Sequence, residues 1–392
     1  MNKVMIAGVG MTPFGKFPGR GIRDLATTAT AEALADAGVD TDAVKKVFFG
    51  NAVAGVVSQQ EMIRAEVAFR DNGLAGVPMI NVENACASGS TAFQLGWEAV
   101  GSGRTEVALV VGAEQLTHAD KNRTFAALRG STDIEEIGPP EQDHRATHSI
   151  LMDFYAEEAQ GYLDRYDASP EDFARVAVKN RTHGSHNPLA QYGVPQTVEE
   201  VLGSRVIVPP LTLPMCSPVT DGAAAIVLCS AEYAARRNGG GAIEVLASEM
   251  AGGAGAGSVP VADAAAAAYR GAGVSIDEVD TIELHDAAAP AELIQYSEIG
   301  LCEEGEGHKL VREGATTIGG ASPVNTSGGL MSRGHPLGAT GCAQLVELVT
   351  QLRGRADGRQ VEGARTGMAV NCGGWLAGTY AVSVATILRR AD

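Results

Sequence analysis

Residues 37–44 read Ala37-Gly38-Val39-Asp40-Thr41-Asp42-Ala43-Val44, and 235 positions later the chain reads Ala272-Gly273-Val274-Ser275-Ile276-Asp277-Glu278-Val279. Five of the eight positions are identical. Each copy follows a helix-like stretch and precedes a short apolar run, 44–49 and 279–284. The shared order of helix, glycine turn and strand points to an internal duplication. Ala87-Ser88-Gly89 and Ala339-Thr340-Gly341 likewise each open a helix, one in each half.

Outward from these segments, short apolar strands alternate with Ala-rich helices. Strands are expected at 4–9, 107–111, 224–229, 243–247 and 367–370, and a helix over 22–37 ends at Gly38. Alternating β and α elements imply an α/β fold with buried, partly parallel sheets. Residues 121–204 have a different texture, with a helical run near 149–166 and another opened by Ser169-Pro170-Glu171. They are read as an inserted helical layer. The organisation is then 1–120 for the first half, continued in 205–240, with 121–204 inserted and 241–392 as the second half.

Composition narrows the function classes. Of 392 residues 45% are hydrophobic and 20% charged, enough for a large core and unlike a disordered chain. The net charge of −17 argues against nonspecific nucleic-acid binding. No apolar run nears the roughly 18 residues of a membrane span. The N-terminus reads as a strand, not a signal peptide. The six cysteines form no CxxC pair, so a reduced, cytoplasmic protein is expected.

Two nucleotide-binding patterns fail on inspection. Gly10 to Lys16 matches GxxxxGK, but Phe17 replaces the magnesium-binding hydroxyl and Pro13 removes a backbone donor. Gly8 and Gly10 begin a dinucleotide fingerprint whose third glycine is missing. Pairs His144/His148 and His183/His186 have metal-like spacing but no third ligand.

Four other segments carry chemistry. Cys86 stands at the start of a helix, where the macrodipole favours thiolate, although a buried inert thiol is the common alternative. His335 lies between glycine and proline in the loop 325–341, and His285-Asp286 ends a strand, the edge where α/β sites gather. Asn371-Cys372-Gly373-Gly374 follows another strand, and its glycines would admit the close backbone approach of an oxyanion hole. Taken alone, Cys372 reads as packing rather than catalysis.

Together, the CxS at Cys86, the HDAA at His285, the GHP at His335 and the CxG at Cys372 resemble the four catalytic loops of the thiolase superfamily. The His-Asp pair, Asn325-Thr326-Ser327 and Cys216-Ser217-Pro218 are similar to its sterol-carrier-protein-type and bacterial lipid-transfer-like branch. That branch usually has HDCF, whereas this chain has Ala287 and Ala288. Ketoacyl synthases share the fold but have one active-site cysteine, so the second thiol sets this chain apart from them.

The resemblance implies a thiolase fold: two duplicated βαβαβαββ halves in five layers, α-β-α-β-α, with an inserted helical loop domain. It implies acyl transfer between coenzyme A thioesters. Cys86 would be the nucleophile, His335 its base and Cys372 the second acid/base. His285 and His335 would hold an enolate, and the Cys86 and Gly374 N–H groups a tetrahedral oxyanion. Asn325 and Ser327 would orient the loops. Coenzyme A is a substrate, and no metal or organic cofactor is implied. Lys179, Arg181, His183 and His186 could meet coenzyme A phosphates or form a solvated face. A homodimer is expected by analogy, with no lipid-carrier domain after Asp392. The alternatives are a thiolase-like retro-aldolase or C-acyltransferase with a small OB-fold partner, and a noncatalytic acyl-CoA-binding protein.

Overall fold

The computed structural model describes residues 1–138, 149–237, 241 and 243–391. Its strands are β1 (Val4–Met11), β2 (Lys46–Gly50), β3 (Met79–Val82), β4 (Val107–Glu114), β5 (Val206–Val208), β6 (Leu211–Thr212), β7 (Gly222–Ser230), β8 (Ile243–Gly252), β9 (Thr281–Glu283), β10 (Thr366–Leu376) and β11 (Thr379–Arg390). β5 and β6 form a small ribbon, and the rest make one sheet in the order β3-β2-β4-β7-β1-β8-β11-β10-β9.

That order shows the duplication. From the centre outward, β1, β7, β4 and β2 on one side correspond to β8, β11, β10 and β9 on the other. The β2–β4 and β9–β10 pairs are parallel, and the inner pairs in both halves are antiparallel. The halves join through Val4↔Val245, Met5↔Glu244 and Ile6↔Ile243. The repeated octapeptides hold equivalent places. Helix Ile22–Ala37 ends at Gly38 with φ 63°, and helix Pro260–Ala272 ends at Gly273 with φ 66°. Glycine enters this left-handed region without the Cβ penalty, so the cap survives in both copies.

Helices Ser88–Gly101 and Leu337–Leu352 fill the middle layer and touch each other, with Phe93, Ile226, Val245, Leu345 and Leu388 in one apolar cluster. Leu337–Leu352 is buried along nearly its whole length. Helix Ile22–Ala37 covers the outer face of β1 and β7, and helix Pro260–Ala272 covers β8 and β11. This is the expected five-layer thiolase arrangement. Gly112 of β4 meets the start of helix Leu337–Leu352 so closely that a Cβ there would lie 2.2 Å from the Gly338 carbonyl oxygen.

The inserted segment contributes helices Lys121–Arg129, Ile150–Arg165, Pro170–Ser185 and Val198–Leu202. Pro170–Ser185 starts with Pro170 and a Ser169/Asp172 capping box. It packs on helices Ala289–Glu298, Gly307–Arg312 and Gly329–Ser332 of the second half. No helix among the described residues is long and apolar enough to cross a membrane.

Candidate active site

The four loops converge. Cys86 lies between β3 and helix Ser88–Gly101, His285 follows β9, His335 precedes helix Leu337–Leu352, and Cys372 is within β10. The side-chain donor atoms of Cys86, His285 and His335 lie within 4.8 Å of one another, and all three residues are buried. Gly373 explains how β10 reaches them: a Cβ there would stand 2.4 Å from the Asn84 carbonyl oxygen and 2.8 Å from the Ala87 nitrogen. Gly374, at φ 64°, and Cys86 itself direct backbone N–H groups at the Cys86 sulfur. Cys372 faces Ser383 across the β10–β11 ladder, and Ser383 Oγ donates to its sulfur at 3.4 Å.

Burial dominates the electrostatics. It pushes the Cys86 thiol up to about 12, and the Glu114 carboxylate adds to the rise; the two N–H groups oppose it. The thiolate expected from the helix terminus is therefore overturned, because desolvation outweighs the partial charge of the dipole. Burial likewise raises the Cys372 thiol. It lowers His285 to about 3, and holds His335 well below its ordinary value, with His285 and Arg333 assisting. Both imidazoles are neutral.

Their outer nitrogens define which atom holds the proton. His335 Nδ1 lies 2.7 Å from Thr340 Oγ1, whose own hydrogen goes to the Pro336 carbonyl at 3.0 Å. The hydroxyl oxygen must accept, so Nδ1 carries the proton and Nε2 is bare. At His285 the Asn371 amide nitrogen, which can only donate, lies 3.0 Å from Nδ1, and Ser90 Oγ shares its one hydrogen between Asn371 Oδ1 at 2.8 Å and the Ala87 carbonyl at 2.9 Å. Here Nδ1 accepts and Nε2 holds the proton. A Cys/His/His set has the right chemistry for a soft cation. A protonated Nε2 on His285 leaves that imidazole without a ligand lone pair toward the trio, so the arrangement fits proton transfer and oxyanion binding better than metal.

Asn325 and Ser327 lie in the hydrogen-bonded layer beneath. Asn325, at φ 56°, accepts from the Leu284 N–H at 2.8 Å and donates to Glu292 at 2.7 Å. Ser327 Oγ donates to Glu283 at 2.7 Å. Asn180 bonds both Asp286 and Glu292, and Lys179 pairs with Glu292 while donating to the Val324 carbonyl at 3.0 Å. The reading of Lys179 and His183 as phosphate ligands is thus corrected. Both are buried, and His183 spends Nδ1 on the Asn325 carbonyl at 3.0 Å and Nε2 on the Ile318 N–H at 3.1 Å. The same bonds remove His183 as a metal ligand. Arg181 stacks 3.9 Å from the Tyr192 ring centre. His144 and His148 lie outside the described residues.

An aromatic wall stands beside the loops. Tyr380 is 6.0 Å from His285 and 5.3 Å from Trp375, ring centre to ring centre, and Phe154 stacks on Trp375 at 5.5 Å. Tyr155 and Tyr380 meet through their hydroxyls at 3.4 Å. Sequence reading noted Trp375 after the glycines as a motive for the partner-dependent alternative, and missed the parts of Asn371, Thr340, Glu114, Phe154, Tyr155 and Tyr380. Asn371 had one signal, its place directly before Cys372.

Comparison with known proteins identifies the family. The family description "Thiolase, N-terminal domain" fits residues 4–206, and "Thiolase C-terminal domain-like" fits residues 250–389. The chain is 37% identical over 397 residues to an acetyl-CoA acetyltransferase of Methanothermobacter thermautotrophicus, covering 98% of this chain and 99% of that protein. It is 36% identical to the benzoylsuccinyl-CoA thiolase subunit BbsB of Thauera aromatica, covering 92% of each. It is 34% identical to human sterol carrier protein 2, covering 95% of this chain and 70% of that protein. Among solved structures, the Ltp2-ChsH2(DUF35) aldolase superposes with a TM-score of 0.79 at 25% identity, over 99% of this chain and 98% of that one. Human mitochondrial 3-ketoacyl-CoA thiolase has the same fold, with a TM-score of 0.71 at 18% identity over 100% and 99%. With both halves matched and relatives 37% and 36% identical along nearly their whole length, the chain belongs to the thiolase family of acyltransferases.

Proposed function

We propose that this protein transfers acyl groups between coenzyme A thioesters through a Cys86 acyl-enzyme. The observation that carries the reading is the meeting of a thiol with a bare imidazole nitrogen, a protonated imidazole nitrogen and a second thiol. In thiolysis, His335 Nε2 takes the Cys86 proton and the sulfur attacks the ketone carbon of a 3-ketoacyl-CoA. The Cys86 and Gly374 N–H groups hold the tetrahedral oxyanion. The carbon–carbon bond breaks, and the departing thioester enolate is held by the N–H of His285 and the new N–H of His335. Cys372 gives that carbanion its proton. Coenzyme A then yields its thiol proton to the Cys372 thiolate and attacks the acyl-enzyme, and Cys86 recovers its proton from His335. Claisen condensation runs the same steps backward.

Coenzyme A takes part as a substrate, and no step calls on a metal or organic cofactor. Asn325 and Ser327 act by holding the loops. A homodimer, located in the cytoplasm, completes the reading; support for self-association is the edge position of β3, on which Ile80 is exposed. A second reading, a C–C lyase or C-acyltransferase working with a small OB-fold partner, is favoured by the likeness to the Ltp2-ChsH2(DUF35) aldolase and by Ala287 and Ala288 after His-Asp. Coenzyme A-dependent loss of 3-ketoacyl-CoA enolate absorbance, for acetoacetyl-CoA and a longer homologue, tests the choice. Turnover that disappears in Cys86→Ser establishes thiolysis; no turnover by folded protein favours the partner-dependent reading.

A further inference from the structure

Helix Pro170–Ser185 borders the Glu292 network on one side and a cavity of about 420 Å³ on another. None of the residues lining that cavity belongs to the four catalytic loops. The volume lies in the range of small-molecule clefts. Arg175, Lys179, His183 and His186 line it, and among the described residues no carboxylate does, although the chain carries a net charge of −17. Its unpaired cation among these is Arg175, since Lys179 is neutralised by Glu292 and burial keeps His183 neutral.

Its polar groups divide into two kinds. Lys179 and His183 are committed to Glu292, Val324, Asn325 and Ile318. Arg175 and His186 are exposed, and within the described residues neither side chain makes a hydrogen bond or ion pair. Arg175 acts on the exposed Glu199 only electrostatically, an interaction that water screens. The remaining wall is apolar, from Val178, Val198 and Ile318.

We propose that this cavity is a second ligand site, separate from the catalytic loops, for a small organic anion with an apolar body. The anionic group meets Arg175, and the body lies on Val178, Val198 and Ile318. The bound molecule touches His183, which holds the Asn325 carbonyl. Asn325 in turn anchors the Leu284 N–H, one residue before His285. A ligand there presses on the same chain of hydrogen bonds that places the catalytic imidazole.

Calorimetric titration of octanoate into the full-length protein saturated with coenzyme A tests the site. Octanoate is expected to bind despite the coenzyme, to lose about tenfold in affinity in Arg175→Ala, and to be excluded by Val178→Trp. Octanol, with the same body and no charge, is expected to bind at least about tenfold more weakly. Absence of binding at millimolar octanoate, displacement by coenzyme A, or an unchanged affinity in Arg175→Ala would overturn the proposal. Because the readout is binding, it is independent of whether the protein proves to be a thiolase or a lyase.

Discussion

The imidazoles of His285 and His335 stand edge to face, their centres 5.1 Å apart, with opposite protonation at Nε2. Asn371 and Thr340 impose that difference from outside the trio. One imidazole can take a proton while its neighbour can only give a hydrogen bond. The division of labour rests on two second-layer side chains.

Asn371→Asp should reverse the His285 tautomer, since a carboxylate at Nδ1 draws the proton there. Losing that oxyanion donor is expected to lower kcat by about 10²-fold with little change in KM. Steady-state kinetics of a variant with wild-type circular dichroism would check it; unchanged kcat would sink the tautomer assignment.

The two thiols should separate cleanly. Cys86→Ser is expected to abolish the acyl-enzyme seen by mass spectrometry. Cys372→Ala should still form it from acyl-CoA but fail to exchange the α-protons of acetyl-CoA in deuterated water. Full turnover by Cys372→Ala would refute the two-thiol mechanism.

Alkylation of resting Cys86 by iodoacetamide should keep rising with pH. With the thiol pushed up to about 12 by burial, the thiolate fraction grows about tenfold per pH unit throughout the accessible range. Peptide mapping of the alkylated site gives the profile. A plateau below pH 9 would show a thiolate–imidazolium pair instead.

Lys179→Met strands the buried Glu292 carboxylate without its cation. The expected loss is about 3–5 kcal/mol of stability, read as a lower urea midpoint. Adding Glu292→Gln should restore part of it, which simple loss of packing would not allow.

Gly112→Ala should be poorly tolerated despite the small volume added. The methyl would stand 2.2 Å from the Gly338 carbonyl oxygen, a backbone atom that cannot swing away. A fall in stability of about 1–3 kcal/mol is expected, with loss of activity because Gly338 follows His335 by three residues. Thermal melts and turnover of the same preparation would test both.

Local features made much of this fold legible. Gly38 and Gly273 announce their helix ends because the left-handed cap excludes most other residues, and the repeat around them exposed the duplicated sheet. Helix Ile22–Ala37 falls where the pattern placed it. The strand expected at 279–284 shrinks to Thr281–Glu283, since its ladder with β10 spans only three residues. What stayed hidden depends on distant chain meeting. Asn371 reaches a histidine 86 residues away, and Lys179 finds Glu292 113 residues on. A lysine on a helix gives no sign of the carboxylate it will meet, so it reads as a surface cation. The helix-terminus argument for Cys86 likewise could not weigh burial that β10 and Leu337–Leu352 supply.

The central place of β1 bears on how the chain is made. One edge of this strand is closed by β7 and the other by β8, both synthesised more than 200 residues later. A chain emerging from the ribosome carries β1 unpaired on both edges until Ser230 has left the exit tunnel, and open on one edge until Val245 has followed. Meanwhile β2 and β4 can already pair, so their half-sheet waits with a gap at its middle. Such an open edge is a template for pairing with other chains. Translation stalls between β4 and β8 should therefore be the period of greatest dependence on chaperones, and release of the second half the event that seals the first.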